Sequence, residues 1–377
     1  MKNRERTRTK MNNTHSTNRI YMAIEYGSKD WKLQFGNGKK LRAVTIPARD
    51  VEALKTQIRK TKERFGMPED AEVYSCYEAG RDGFWIHRML KSIGVHNIVV
   101  DPASIEVKRR GKRVKTDRLD AKKLQEMLVR YWVYGEEKTW SVLHVPSENE
   151  EAARRPHRER DRLTKESTAH RCRIRSLLAL HGIKVKGIPK DPETLRDWKG
   201  EALPLTMVEE LAREIKRLAL LEEQMELLKT ERQKKQKSGE TRSAQQALKL
   251  GELKGVGEQT SWDLMHEFFW RRFQNRRQVG AASGLVSCPY DSGESRREQG
   301  ISKAGNVRVR VTMIELAWRW LQFQPDSALS RWYMQRFGAG PGRLKRIGIV
   351  ALARKLLVAF WKYLEFGTLP EGAVLKA

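Results

Sequence analysis

Residues 20–46 read IYMAIEYGSKDWKLQFGNGKKLRAVTI, and this stretch decides the fold class. Ile20 to Glu25 is a short apolar strand. Trp31 to Phe35 alternates apolar and polar residues with the two-residue period of a half-buried strand. Asn37-Gly38 is a favourable hairpin turn, and Leu41 to Ile46 supplies a third strand. Further along come an amphipathic helix over about 48–64 and a strand, Ala71 to Tyr77. A helix from about Arg81 to Ser92, a strand at Asn97 to Val100 and a helix from about Thr116 to Val129 complete the region. The order βββαβαβα predicts one mixed sheet with helices packed against it.

Acids fall at particular places on that frame. Glu25 ends the first strand, Glu78 sits just past the fourth, and Asp117 and Asp120 open the last helix. Spaced by three, the two aspartates face the same way. Clustered carboxylates repel unless a cation sits between them. If the first and fourth strands are neighbours, four carboxylates converge at one end, enough to hold two Mg²⁺ ions for an in-line phosphoryl displacement. The acids follow a basic lead-in, residues 107–115, with six Lys and Arg in nine positions: Lys108, Arg109, Arg110, Lys112, Arg113 and Lys115. Acids in a basic field point to metal-dependent work on a phosphodiester. The plain alternative is that Glu25 and Glu78 are ordinary strand-end acids.

Composition favours a polyanionic partner. The 377 residues hold 75 Lys and Arg against 47 Asp and Glu, a net charge of +28. The length predicts two or three domains. Three scattered cysteines, Cys76, Cys172 and Cys288, make neither a disulfide framework nor a zinc site, so a reducing cytoplasmic setting is expected. No apolar run approaches the roughly 18–20 residues that span a bilayer. Residues 1–19 read as a disordered basic arm.

The middle of the chain is helical. A charged stretch from Glu148 to about Leu180 contains Pro156, where a helix starts or kinks. A Gly/Pro-marked linker at about 181–204 follows. From Met207 to Lys234, the positions Val208, Leu211, Ile215, Leu218, Leu221, Met225 and Leu228 form a narrow coiled-coil seam. The seam serves either a helical hairpin within the chain or association between chains. Lys235 to Arg242 reads as an exposed basic linker.

Leu253-Lys-Gly-Val-Gly257 looks like the turn of a helix-hairpin-helix element, whose backbone N–H groups suit a phosphate; a plain interhelical turn would look similar. Beyond it, Ser292 precedes Gly293 in an expected loop. Between Arg296 and Arg310 stand Arg296, Arg297, Lys303, Arg308 and Arg310 against one acid, Glu298, a phosphate-binding surface. A serine before glycine is by itself most often a turn residue. Trp318, Trp320, Phe323, Trp332, Tyr333 and Phe337 read mainly as core, a minority as base-stacking. Ile347 to Tyr363 reads as a closing buried helix.

Cys76-Tyr-Glu-Ala-Gly-Arg-Asp-Gly-Phe-Trp85, followed by Lys115-Thr-Asp-Arg-Leu-Asp-Ala121, resembles the DEDD-type insertion-sequence transposases. The block from Leu253 to about Trp320 resembles their C-terminal domain, and the likeness runs from about Tyr21 to Trp361. It implies an α/β RNase H-like (RuvC-like) domain over 20–145, a coiled-coil oligomerisation region over 146–247 and a mainly α C-terminal transposase domain over 248–377. It implies an Mg²⁺-binding tetrad of Glu25, Glu78, Asp117 and Asp120, and Ser292 as nucleophile, with Ser295 and Ser302 as competitors. No histidine lies near Ser292 in sequence to act as its base. Glu25 departs from the family pattern, which has Asp there; the added methylene moves the carboxylate oxygens by about 1.5 Å. The implied activity is strand exchange between donor and target DNA through a phosphoserine intermediate, guided by a bridge RNA. A dimer that becomes a tetramer on DNA, at the bacterial or archaeal nucleoid, is implied as well. Two other readings are a Holliday-junction nuclease that uses the tetrad alone and a non-catalytic nucleic-acid-binding protein.

Overall fold

The apolar run that opens the chain is buried on both sides. In the computed structural model, which describes residues 18–80, 83–105, 117–136, 139–292 and 295–376, β1 is Arg19–Tyr26. Next come β2 (Asp30–Gly36), β3 (Leu41–Pro47), α1 (Val51–Phe65), β4 (Glu72–Glu78), α2 (Trp85–Ser92), β5 (His96–Val100) and α3 (Asp117–Val133). The expected βββαβαβα order is therefore the observed one. Strands lie in the order β3-β2-β1-β4-β5, with β1 antiparallel to β2 and parallel to β4.

Alternation sorts the side chains to two faces. Ile20, Met22 and Ile24 join Trp31, Leu33 and Phe35 in a core closed by Leu54 of α1 and Ile86 and Leu90 of α2. Tyr21, Ala23, Tyr74 and Cys76 face the other way, under Leu124, Met127 and Leu128 of α3. Each large aliphatic or aromatic side chain so buried contributes about 1.5–3 kcal/mol. Asp50 caps α1 by accepting from Ala53 N at 2.8 Å, and Gly66, at φ 68°, ends it in the left-handed region.

Residues Met1–Pro146 form one compact unit and Ser147–Ala377 a second. The second starts with α4 (Glu148–Ala152) and α5 (Arg155–Ala179), whose first turn holds Pro156, so that proline starts the helix without kinking it. α6 (Leu205–Ser238) returns along α5, and Leu211, Leu218 and Leu221 of the seam are buried within this chain. The expected linker at Lys235 to Arg242 is instead largely helix, up to Gly239 in the left-handed region. The reason lies in polar packing: Gln236 is buried, accepts from Arg232 at 2.8 Å and reaches Ser261, so the helix outlasts its apolar pattern.

α7 (Arg242–Gly251) and α8 (Glu258–Leu264) bracket the expected glycine turn, and a π-helical turn, Met265–Phe269, extends α8. The N–H of Lys254 donates to Val374 O and that of Val256 to Leu253 O, so these two turn donors serve the fold. α9 (Arg276–Ser283) leads to β6 (Ser287–Ser292) and β7 (Ser295–Ile301), an antiparallel hairpin where the sequence suggested a loop. α10 (Val307–Phe323), α11 (Ala328–Tyr333), a π-helical turn at Met334–Gly338 and α12 (Gly342–Phe366) close a mainly helical core. Of the aromatic group, Trp320 and Tyr333 are buried, while Trp318 and Phe323 are exposed. No helix among the described residues is long and apolar enough to cross a membrane.

Candidate functional site

The acidic edge of the first unit follows from the β1–β4 register. The pairs run in parallel from Arg19↔Glu72 to Ile24↔Tyr77, so one further step brings Glu25 level with Glu78 at the carboxyl ends of adjacent strands. Adjacent strands lie about 4.8 Å apart. Alternation turns both acids to the face that α3 covers, the face of Ala23 and Cys76. α3 runs back over it: Trp132 meets the Tyr74 ring at 4.8 Å, and Leu124 O accepts from the Cys76 thiol at 3.7 Å. Followed towards its start, the helix passes buried Ala121 and brings Asp120 and then Asp117 towards the end of the sheet that carries Glu25 and Glu78. Glu78 is exposed, and Glu25 and Asp120 are half-buried.

The Asp117 side chain lies outside the described residues, as do Lys108, Arg109, Arg110, Lys112, Arg113 and Lys115 and the basic arm up to residue 17. Among the described residues, no three His, Cys, Asp or Glu side chains are grouped closely enough to hold a metal. Of the tetrad, the register and the helix direction bring Glu25, Glu78 and the start of α3 towards one edge, but Glu25, Glu78 and Asp120 do not form a metal-sized group there. An all-carboxylate donor set of this kind suits Mg²⁺, a hard cation that prefers oxygen ligands.

In the second unit the β6–β7 hairpin carries the candidate serine. Its root is pinched by two glycines. A Cβ on Gly284, at φ 68°, would lie 1.9 Å from Ala304 O, and one on Gly305, at φ 95°, would lie 2.2 Å from Ala282 O. Ser302 N donates to Val286 O at 2.8 Å just above the pinch. Ser292 is the last residue of β6 and pairs with Ser295, so both serines stand at the tip while Ser302 stands at the root. The side chains of Ser292, Arg296 and Arg297 lie outside the described residues. Lys303 is exposed, and its carbonyl accepts from Arg310 at 3.0 Å. Arg308 pairs with Asp161 and lies 3.9 Å from Glu267, which ties this basic residue into the helical core.

Sequence reasoning missed the hub beneath the hairpin. Glu267, in the π-helical turn, is only 3% exposed. It accepts from His157 Nε2 at 2.7 Å, from Arg158 at 2.7 and 2.8 Å, and from Asn306 Nδ2 at 2.8 Å. Burial alone would push its carboxyl up. The bonds from Arg158, His157 and Asn306 more than reverse this and hold it far below the usual carboxylate range. Asn306 also caps α10, accepting from Arg308 N at 2.9 Å. One buried carboxylate therefore ties α5, the π turn and the start of α10 together. Only the run His266-Glu267 within an apolar segment hinted at it, because the π turn that aims Glu267 inward leaves no mark in residue spacing.

Comparison with known proteins matches residues 247–332, from α7 into α11 and including the hairpin, to the model of a family described as Transposase IS116/IS110/IS902. The chain is 40% identical over 377 aligned residues to the putative transposase y4rJ of Sinorhizobium fredii (strain NBRC 101917 / NGR234), covering 95% of this chain and 94% of that protein. It is 30% identical over 270 residues to the putative transposase y4qE of the same organism, covering 71% of this chain and 64% of the relative. It is 28% identical over 169 residues to the transposase for insertion sequence element IS1533 of Leptospira borgpetersenii, covering 44% and 45%. With one relative matched along nearly its whole length and the family's own segment found around the β6–β7 hairpin, the chain belongs to the IS116/IS110/IS902 family of transposases.

Proposed function

We propose that this protein is the transposase that moves an insertion sequence by cutting and rejoining DNA, with an RuvC-like acidic centre in the first unit and Ser292 as nucleophile in the second. The observation that carries the reading is the β1–β4 register, which brings Glu25 level with Glu78 on the face covered by α3. The net charge of +28 supports a phosphodiester substrate.

Glu25, Glu78, Asp117 and Asp120 would hold Mg²⁺. When bound, the ions neutralise phosphate charge and ease deprotonation of the attacking hydroxyl. Ser292 Oγ gives up its proton and attacks phosphorus. A serine–phosphate ester forms as the bond to one sugar oxygen breaks, and that oxygen leaves with a proton. Attack by a different sugar hydroxyl reverses the step and joins a new pair of strands, with no bond energy lost to water. Lys303 and Arg310, with Arg296 and Arg297, would steer the backbone to the hairpin. Guidance by a bridge RNA that pairs with donor and target would explain how so basic a chain selects sequence without an evident base-reading helix. The dimer, and a tetramer on DNA, belong to the same proposal, although Leu211, Leu218 and Leu221 of the α6 seam are already buried within the chain.

The test is a covalent trap. Incubation with end-labelled element-end DNA, Mg²⁺ and the guide RNA should give a protein–DNA band that survives denaturing electrophoresis. Ser292→Ala and EDTA should each abolish it. Cleavage without any such band would favour the nuclease reading, because hydrolysis leaves no linked product.

A further inference from the structure

The row across the sheet that carries Glu25 and Glu78 holds a cation as well. In the β1–β2 pairing Glu25 stands directly opposite Lys32, and in the β2–β3 pairing Lys32 stands opposite Thr45. Directly paired residues of antiparallel strands point to the same face, with Cβ atoms about 4.5–5.5 Å apart. Trp31, Leu33 and Phe35 fill the core on the other face, so alternation turns Lys32 to the side that α3 covers. Further along β2 that side is tightly packed: Gln34 is buried, and a Cβ on Gly36 would lie 2.4 Å from Gln125 Nε2 of α3. Lys32, half-buried, stands where the packing ends, towards the start of α3. Glu25 therefore has Glu78 on one flank and Lys32 on the other.

A glutamate side chain has one torsion more than an aspartate's, so its carboxylate roams further unless a neighbour fixes it. Repulsion from Glu78 pushes the Glu25 carboxylate away from the edge they share. An ammonium across the strand opposes that push, and its flexible stem lets it follow the carboxylate. The same ammonium is a like charge to any divalent ion at the edge and competes with it for the same oxygens. Lys32 thus has two effects of opposite sign: it orders an acid and weakens the hold of that acid on metal. A cross-strand pair with a merely structural part would add a little stability and leave metal binding and chemistry alone.

We propose that Lys32 is a positioning residue of the acidic centre, which holds the Glu25 carboxylate beside Glu78 and tempers its grip on metal. The inference deepens the function proposed above and rests on its acidic centre, not on Ser292. Lys32 acts on the reacting phosphate only through Glu25, so its loss slows the chemistry without loosening DNA. A misplacement of about 1 Å in such a centre is enough for a large loss of rate.

The experiment uses the full chain, with Mn²⁺ as the probe of metal binding without DNA, read from the paramagnetic resonance of the free ion. Lys32→Gln should bind Mn²⁺ about fivefold tighter than the parent. In saturating Mg²⁺ its kcat for DNA cleavage should fall about tenfold or more, while KM for DNA stays within about twofold. Lys32→Arg, which keeps the charge, should return both values to near those of the parent. Lys32→Gln/Thr45→Lys restores the net charge one strand further away and should behave as Lys32→Gln does. Should Lys32→Gln melt early, Lys32→Met keeps much of the apolar stem and should give the same shifts. Mn²⁺ affinity unchanged or weaker, kcat unchanged, a loss confined to KM, or full recovery by Thr45→Lys would each overturn the proposal. Glu78→Gln separates this result from the wider reading. If it leaves Mn²⁺ affinity at the level of the parent, the acidic centre fails and Lys32 with it. If it weakens binding while Lys32→Gln changes nothing, the role of Lys32 alone fails.

Discussion

Glu267 and Glu78 are both carboxylates in a chain with 28 more basic than acidic residues, and they meet that charge in opposite ways. Glu267 is sealed among His157, Arg158 and Asn306, with its oxygens fully engaged. Glu78 stands exposed at a strand end, level with a second acid and near the start of a helix that bears two more. The first arrangement satisfies an anion with protein donors and leaves no capacity for a ligand. The second, in the function proposed above, offers carboxylates that an external cation would draw together. A carboxylate's role is therefore read from what faces it, and the two roles separate under mutation.

The largest effect falls on chemistry. Glu78→Gln should lower DNA cleavage at least about a hundredfold, a loss of about 2.7 kcal/mol in transition-state stabilisation, while the melting temperature stays within a degree or so of the parent. Cleavage assays beside calorimetry read both. A large fall in melting temperature for Glu78→Gln would erase the contrast.

Glu267→Gln should do the reverse in kind. Removing the anion strands Arg158 and a buried His157, which costs about 3–5 kcal/mol for a broken buried pair. For a unit of this size that corresponds to a melting temperature lower by roughly 10 °C. The loss of activity at permissive temperature should be smaller than for Glu78→Gln.

Acid sharpens the same point. The folded carboxyl of Glu267 titrates well below its unfolded value of about 4.3, so its stabilising effect is complete above that pH and is lost as pH falls further. Melting measured from pH 6 down to pH 3 should show a steep decline in the parent and a shallower one in Glu267→Gln. Equal slopes would mean that the network does not hold this proton off.

The smallest effect is expected at Asn306. Asn306→Ala removes the cap of α10 and one donor to Glu267, which costs about 1–2 kcal/mol by thermal melting.

What the sequence made legible follows from period. β1 to β3 were readable because Ile20, Met22 and Ile24 and Trp31, Leu33 and Phe35 keep the two-residue step of a pleated strand. The places of Glu25 and Glu78 at strand ends were readable from the runs that precede them, but the neighbouring of β1 and β4 that sets them level had to be supplied. The hairpin was not. Its strands, SCPYDS and SRREQGI, are polar and do not alternate, and its root closes where Gly284 meets the Ala304 carbonyl and Gly305 meets that of Ala282. α6 overran its expected end because Arg232 and Gln236 are buried through polar partners, which hydropathy counts as solvent-facing. The Glu267 hub joins residues more than a hundred positions apart, and no local pattern encodes that.

The most direct test of the account identifies the atom that becomes bonded to DNA. Trapped adduct, digested by nuclease and protease and sequenced by mass spectrometry, should carry its nucleotide remnant on Ser292, and the yield should vanish in Glu78→Gln and Asp120→Asn. A remnant on Ser295 or Ser302, or adduct formed undiminished without those carboxylates, would contradict it.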